Sequence, residues 1–255
     1  MELYVVGCHG GETPRHRTSA FVLDGKLAID AGALTSGLEL RAQRKLAAVL
    51  VSHAHLDHIR DLATIADNRV QTGEPPLVLA GTKWTVGVLR KHFFNGKVWP
   101  DFAEIPSRDK PAIRYQVLKP EVPADVVGYT VRAILVSHTI ETTAFVIQRG
   151  NKAIGYSGDT GPTDRLWEVL NATPSLCGLM MEVSFPDQEH EIAVASGHHT
   201  PRTLAMDLKK FEKLKELPVL LYHIKPVFEA RVERECARLK LGNLEVMRLG
   251  DSFIF

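Results

Sequence analysis

At 255 residues the chain can bury a substantial core without staples, as one large α/β domain or two small ones. Its 45% hydrophobic and 24% charged residues are the ordinary balance of a soluble globular protein. A net charge of +1 excludes a general field for gathering polyanions and leaves room only for local basic patches.

The chain opens on an apolar strand-like run, Leu3-Tyr4-Val5-Val6-Gly7, with no basic n-region and no apolar h-region. The expectation is therefore no signal peptide and no bilayer-spanning run. Cys8, Cys177 and Cys236 are odd in number, far apart and outside any Cys-x-x-Cys spacing. They read as reduced, mostly buried thiols of a cytoplasmic protein. Short strands separated by glycine turns are predicted at 2–8, 19–24 and 26–31, then an amphipathic segment near 36–46. The run Ala47-Ala48-Val49-Leu50-Val51 is too short for a helix and suits a strand buried on both faces. A helix at 59–70, a strand at 77–80 and a helix at 82–94 follow, then a Pro-rich loop from Pro100 to Pro123 holding a strand near 114–118. Residues 129–157 give three strands, two of them joined by the hairpin turn Arg149-Gly150-Asn151. Beyond Asp159 the pattern is helix (163–170), strand (177–184), helix (201–216), strand (219–223), helix (227–239) and strand (244–249). A β-rich stretch followed by αβ, twice over and with no low-complexity linker, predicts a single domain over 1–255. Its expected architecture is an α/β fold, an αββα sandwich of two mixed sheets flanked by helices.

The strand at 47–51 runs into Ser52-His53-Ala54-His55-Leu56-Asp57-His58. Three histidines and an aspartate within six positions, at the end of a buried strand, form a strong metal signal, because imidazole and carboxylate suit zinc, manganese and iron. His53 and His55, two apart in an extended turn, can reach one ion together, and Asp57 and His58 would aim at a second. Further ligands stand where apolar strands stop, at His138, Asp159 and His223. A lone histidine in such a place is usually structural, and these gain weight only beside the 53–58 cluster.

The order H-x-H-x-D-H, then His, then Gly-Asp-Thr, then His resembles the metallo-β-lactamase superfamily over essentially the whole chain. The resemblance implies His53, His55 and His138 on one metal, Asp57, His58 and His223 on the other, and Asp159 bridging both. Asp30 in Ile29-Asp30-Ala31-Gly32 matches an early Asp-x-Gly turn and would support the ligands, with a plain turn residue as the competing reading. Two divalent ions per chain are implied, zinc first, with manganese or iron as alternatives.

Superfamily members share this centre across lactamases, thioester hydrolases, nucleases and phosphodiesterases. The stretch SHAHLDHIRDL is similar to the signature of the class II cyclic-nucleotide phosphodiesterases. So are GDTGP (158–162), MEVSFPD (181–187), SGHHTP (196–201) and YHIKP (222–226), in the right order. Asp61 and His199 depart from that pattern, at positions where the family has Gly or Ser and Leu. The resemblance implies a dinuclear hydrolase that opens cyclic AMP or cyclic GMP to the 5′-monophosphate, by attack of a bridging hydroxide. Asp57 is placed among the catalytic residues as well as the ligands. The 3′ alkoxide is a poor leaving group that needs a proton. His198 is the candidate donor, with Glu182 orienting it or raising its pKa; capping the helix that starts at Pro201 is the competing role for His198. His199 is expected to be a bystander. His198 and Lys225 are the candidate substrate contacts, and Phe94, Trp99 and Phe102 are candidates for stacking a base.

The expected partner is a small nucleotide, with no membrane. Nucleic acid is disfavoured but open, since residues 83–125 are the one candidate for an RNA-gripping arm and mix basic with acidic side chains. A homodimer is likewise open. The rival functions are an endoribonuclease of the tRNA 3′-processing type and a hydrolase of another small diester or a thioester. A non-catalytic metal-binding scaffold ranks last, because all seven ligand positions are filled.

Overall fold

In the first strand, β1 (Glu2–Gly7), Leu3 and Val5 enter one apolar cluster while Val6 enters another, the period-two split of a strand covered on both faces. In β2 (Ala20–Leu23) the same division sets Phe21 and Leu23 against Ala20 and Val22. β3 (Leu27–Ile29), β4 (Ala48–Leu50), β5 (Leu77–Thr82) and β6 (Ile113–Leu118) continue the layer. A second layer is built from β7 (Ala124–Val126), β8 (Tyr129–Val136), β9 (Thr142–Arg149), β10 (Lys152–Tyr156), β11 (Leu176–Glu182), β12 (Val219–Tyr222) and β13 (Leu244–Val246). The last strand, β14 (Ser252–Ile254), crosses back to pair antiparallel with β1. The structure, a computed structural model, describes residues 1–241 and 243–255.

Strand order is β14-β1-β2-β3-β4-β5-β6 in one sheet and β13-β12-β11-β10-β9-β8-β7 in the other. Both sheets are mixed. β3 to β6 run parallel and β10 to β13 run parallel, while the remaining pairs are antiparallel. The sheets face each other across a core that holds Phe21, Leu50, Tyr156, Met180 and Tyr222. Phe21, Tyr156 and Tyr222 cross between the layers with ring centroids 5.1–5.9 Å apart. Helices cover the outer face of each sheet. Leu34, Ile65 and Ala66 pack on the first and Leu166, Trp167, Leu204 and Val232 on the second, giving the expected αββα sandwich. Among the described residues, no helix is long and apolar enough to cross a membrane.

Several elements differ from expectation, each for a tertiary reason. The helix expected over 201–216 stops at Asp207, and a 3₁₀ turn over Leu208–Lys210 follows. The turn swings Phe211 into the core against Trp167, whose indole N–H donates to Asp207 at 2.9 Å. The segment 36–46 is two short helices, Leu34–Gly37 and Leu40–Lys45. The helix over 82–94 changes to π geometry at Leu89–Phe93, and its end buries Phe94 completely. β7, β14 and the helix His190–Ser196 were not expected. The two strands are three residues long and are fixed by their partners rather than by pattern. Phe94 and Phe102 are core residues, so neither can stack a base, while the indole N–H of the part-exposed Trp99 donates to the Ala63 carbonyl. The 83–125 segment does not project as an arm; it folds onto the first sheet through Phe94, Phe102 and Ile113.

Candidate active site

Parallel β-strands leave their C-terminal ends at one edge of each sheet, and the ligand candidates gather where those edges meet. β4 ends two residues before Ser52, and the loop 53–55 leads into a one-turn helix, Leu56–Ile59. His138 follows β8, Asp159 follows β10 and His223 follows β12. His223 has φ of 71° and Asp30 has φ of 55°, left-handed conformations that are rare for residues with a side chain. Both stand where a strand must turn sharply to aim a polar group inward. Gly32 makes the approach possible, since a Cβ there would lie 2.0 Å from the Asp57 carbonyl oxygen.

Two groups of donor atoms result: His53, His55 and His138, and beside them Asp57, His58, Asp159 and His223. In the first, His55 Nδ1 lies 3.0 Å from His53 Nε2 and 3.3 Å from His138 Nε2. In the second, Asp159 Oδ2 lies 3.2 Å from both His58 Nε2 and His223 Nε2, and those two nitrogens are 3.3 Å apart. Asp57 Oδ2 is 3.4 Å from His223 Nε2. Asp159 also approaches the first group, 3.8 Å from His53 Nε2, so this carboxylate stands between the two.

Four of the five rings are held by their other nitrogen. His58 Nδ1 pairs with Asp30 at 2.7 Å, His53 Nδ1 with Ser52 Oγ at 3.0 Å, His138 Nδ1 with the Gly197 carbonyl at 3.0 Å and His223 Nδ1 with Ser184 Oγ at 2.9 Å. Such outer contacts fix which nitrogen faces inward. Asp30 gathers the supports: besides His58 it accepts from the Ser52 N–H at 2.8 Å, the Ser52 hydroxyl at 2.8 Å and the Tyr156 hydroxyl at 2.6 Å. Tyr156→Phe leaves this buried carboxylate one donor short, which should cost about 1–3 kcal/mol. The melting temperature is then expected to fall by roughly 2–10 °C at this chain size. A melting temperature equal to that of the unaltered protein would show that Asp30 does not depend on Tyr156.

The electrostatics draw positive charge inward. Burial alone would lower the His58 pKa, but the facing carboxylates of Asp159 and Asp30 outweigh it and hold His58 well above its usual value. Burial would raise Asp159, yet His223, His58 and His53 hold it well below the carboxylate range. Asp57 is likewise held low despite burial, by His223 and His58. Burial pushes His53, His55, His138 and His223 down, toward the neutral imidazole that ligates metals. Asp159 Oδ1 is buried without a hydrogen-bond partner. Five inward nitrogens and two carboxylates, one of them carrying that orphan oxygen, fit divalent cations of the zinc, manganese or iron type.

Beside this centre, Glu182 at the end of β11 is fully buried and meets four donors. Its Oε1 accepts from the N–H groups of Thr160 and His199, at 3.2 and 3.1 Å, and lies 3.1 Å from His198 Nδ1. Its Oε2 accepts from the Ser184 hydroxyl at 3.1 Å. Burial pushes Glu182 up to about 7 and His198 below its usual value. The 3.1 Å contact places Glu182 where it can hold the His198 ring. The His198 ring stacks on His223 at 5.1 Å and meets His138 at 5.0 Å, so it touches both donor groups. The helix cap that competed for His198 is supplied by Thr200, whose side chain and that of Thr203 form a capping box. The His199 side chain points away, toward Thr203 at 3.1 Å and Asp207 at 3.7 Å. Lys225 Nζ lies over the Phe185 ring at 6.0 Å, on the His198 side of the centre. Asp61 faces the opposite way and accepts from the Thr35 N–H at 2.7 Å, a structural contact. Ser184 and the Gly197 carbonyl were not anticipated; Ser184 sits two residues after Glu182, inside the MEVSFPD block that drew attention to Glu182 itself.

A family profile of the beta-lactamase superfamily domain matches residues 28–224. A probable 3′,5′-cyclic-nucleotide phosphodiesterase of Yersinia pestis is 28% identical over 279 residues, covering 90% of this chain and 79% of the relative. The 3′,5′-cyclic-nucleotide phosphodiesterase of Aliivibrio fischeri is 30% identical over 227 residues, covering 80% of this chain and 67% of the relative. The crystal structure of unliganded yeast PDE1 shares the fold with a TM-score of 0.83 at 19% identity, over 100% of this chain and 99% of that one. This chain belongs to the metallo-β-lactamase superfamily: it is a hydrolase of that fold, similar to proteins named 3′,5′-cyclic-nucleotide phosphodiesterase.

Proposed function

We propose that this protein is a dinuclear-metal phosphodiesterase that hydrolyses 3′,5′-cyclic nucleotides to 5′-monophosphates. The observation that carries the reading is a buried Glu182–His198 pair, 3.1 Å apart, set against two donor groups that share Asp159. His53, His55 and His138 would hold one ion, Asp57, His58 and His223 the other, and Asp159 both. When bound, such ions lower the pKa of water and neutralise phosphoryl oxygens. Hydrolysis adds water across the P–O3′ bond: the hydroxyl goes to phosphorus and a proton goes to the 3′ oxygen. His198 delivers that proton, and Glu182 fixes its ring through Nδ1, which leaves Nε2 free to face the leaving oxygen. Ser184 joins the two functions, because its hydroxyl meets Glu182, His198 Nδ1 and His223 Nδ1 at 3.1, 3.2 and 2.9 Å. Lys225 is the candidate cation for the phosphate, since it already places positive charge beside His198 and His223. Three unpaired thiols suit a reducing compartment such as the cytoplasm.

The test is a panel of cyclic AMP, cyclic GMP, an aryl phosphodiester and pre-tRNA, offered to protein loaded with zinc, manganese or iron(II). Turnover of a cyclic nucleotide to the 5′-monophosphate is expected. Turnover of the aryl diester with neither cyclic nucleotide would overturn the substrate assignment, and cleavage of pre-tRNA alone would favour the endoribonuclease.

A further inference from the structure

Outside the active site a second set of ligand-type side chains converges. His9 and His16 lie in the loop that joins β1 to β2, and Glu229 opens the helix Glu229–Arg238. His16 Nε2 is 3.1 Å from Glu229 Oε2, His9 Nε2 is 3.5 Å from Glu229 Oε1, and the three ligand atoms lie within 4.8 Å of one another. A tetrahedral ion with bonds near 2.0–2.1 Å sets its ligand atoms roughly 3.3 Å apart. Both histidines are buried, at 6% and 9% exposure, and their rings meet edge to face at 4.6 Å.

The remaining ring nitrogens are already held, as ligating histidines require. His9 Nδ1 lies 3.3 Å from the Arg17 carbonyl oxygen, and His16 Nδ1 lies 2.5 Å from Thr13 Oγ1. The tight turn Thr13–His16, closed by reciprocal backbone hydrogen bonds, aims His16 back at Glu229. Burial, reinforced by His16, lowers the His9 pKa toward the neutral ligating form. Cys8 is no competitor, because its thiol donates to the Met247 carbonyl at 3.4 Å and burial pushes its pKa up to about 12. Arg248 approaches Glu229 at 3.6 Å, but its closer partner is Glu233.

We propose that His9, His16 and Glu229 form a further divalent-metal site, of zinc type, separate from the active-site donors. Two imidazoles and one carboxylate leave a fourth position for water, consistent with the part-exposed Glu229 carboxylate. The site is structural. The loop is zipped to the chain around His223, with the His223 N–H donating to the Cys8 carbonyl at 2.7 Å and the Gly10 N–H to the Ile224 carbonyl at 3.1 Å. An ion there ties the β1–β2 loop to the helix that follows Lys225 and Pro226, and so braces the segment that presents His223.

Zinc content after equilibrium dialysis, measured by plasma mass spectrometry, tests this. His16→Gln should hold one zinc fewer than the unaltered chain, and Glu229→Gln should do the same, each with an unchanged near-ultraviolet dichroism spectrum. Should one variant misfold, the other carries the test. Placed on a His55→Ala background, His16→Gln should again remove one zinc, because the two sites are separate. Equal zinc content in the unaltered chain and the folded variant would overturn the proposal. So would a loss that disappears on the His55→Ala background, since the ion lost would then belong to the active-site donors.

Discussion

His198→Ala is expected to lower turnover of a cyclic nucleotide by roughly 10²–10⁴-fold, the usual contribution of a positioned proton donor. Metal content should stay unchanged. The effect should fall on kcat more than on KM, and it should depend on the leaving group. An aryl diester expels a stable phenolate that needs little protonation, so the same variant should lose far less on that substrate. A uniform loss on both substrates would mark His198 as a positioning residue. A loss of bound metal would make it a ligand, a role its place against His138 and Asp159 leaves geometrically open. Glu182→Gln should lie between the variant and the unaltered chain, because the amide can still accept from His198 while losing any charge. Thr160 and His199 donate backbone N–H groups to the same oxygen and Ser184 donates to the other, so three donors besides His198 hold this side chain and its replacement need not disturb the fold.

Asp159→Ala is expected to abolish turnover and to empty or disorder both donor groups. One oxygen of Asp159 lies 3.2 Å from His58 and His223, and 3.8 Å from His53, so a single truncation removes the one carboxylate that all three imidazoles share. Any cations still bound would face each other with no anion between them. Metal analysis should show content well below that of His55→Ala, whose side chain belongs to one group alone. If Asp159→Ala kept the full metal content and lost only activity, the bridging role would be wrong and the two groups would be independent.

The clustered donors were legible because their signal is local. Four of them fall within six positions at the end of an apolar run, and each of the others ends a strand whose pattern is plain. Apart from Asp30, which its Asp-x-Gly turn marked, the supports were not, because they exist only through contacts distant in sequence. Tyr156 reaches Asp30 across 126 positions, and the Gly197 carbonyl reaches His138 across 59. A carbonyl oxygen has no signature in a sequence at all. Gly197 illustrates the limit: with φ of 66° and a Cβ there falling 2.9 Å from His138 Cα, it ends the helix His190–Ser196 and holds the His138 ring at once. The fold class followed from strand order and periodicity. β7 and β14 escaped because three residues carry too little pattern, and the helix after Pro201 was overextended because the pull of the core on Phe211 is a tertiary effect. His9, His16 and Glu229 were overlooked for the same reason, being scattered over 220 positions.

The donor atoms are divided between layers. His53, His55, Asp57 and His58 belong to the first sheet's edge, whereas His138, Asp159 and His223 belong to the second. Neither layer alone holds a competent centre, and the shortest step between the two sets spans eighty positions, from His58 to His138. During folding such contacts form only after a large loop has closed. A chain that has formed only one layer therefore holds just part of each donor group, and both groups become complete only when the sheets dock.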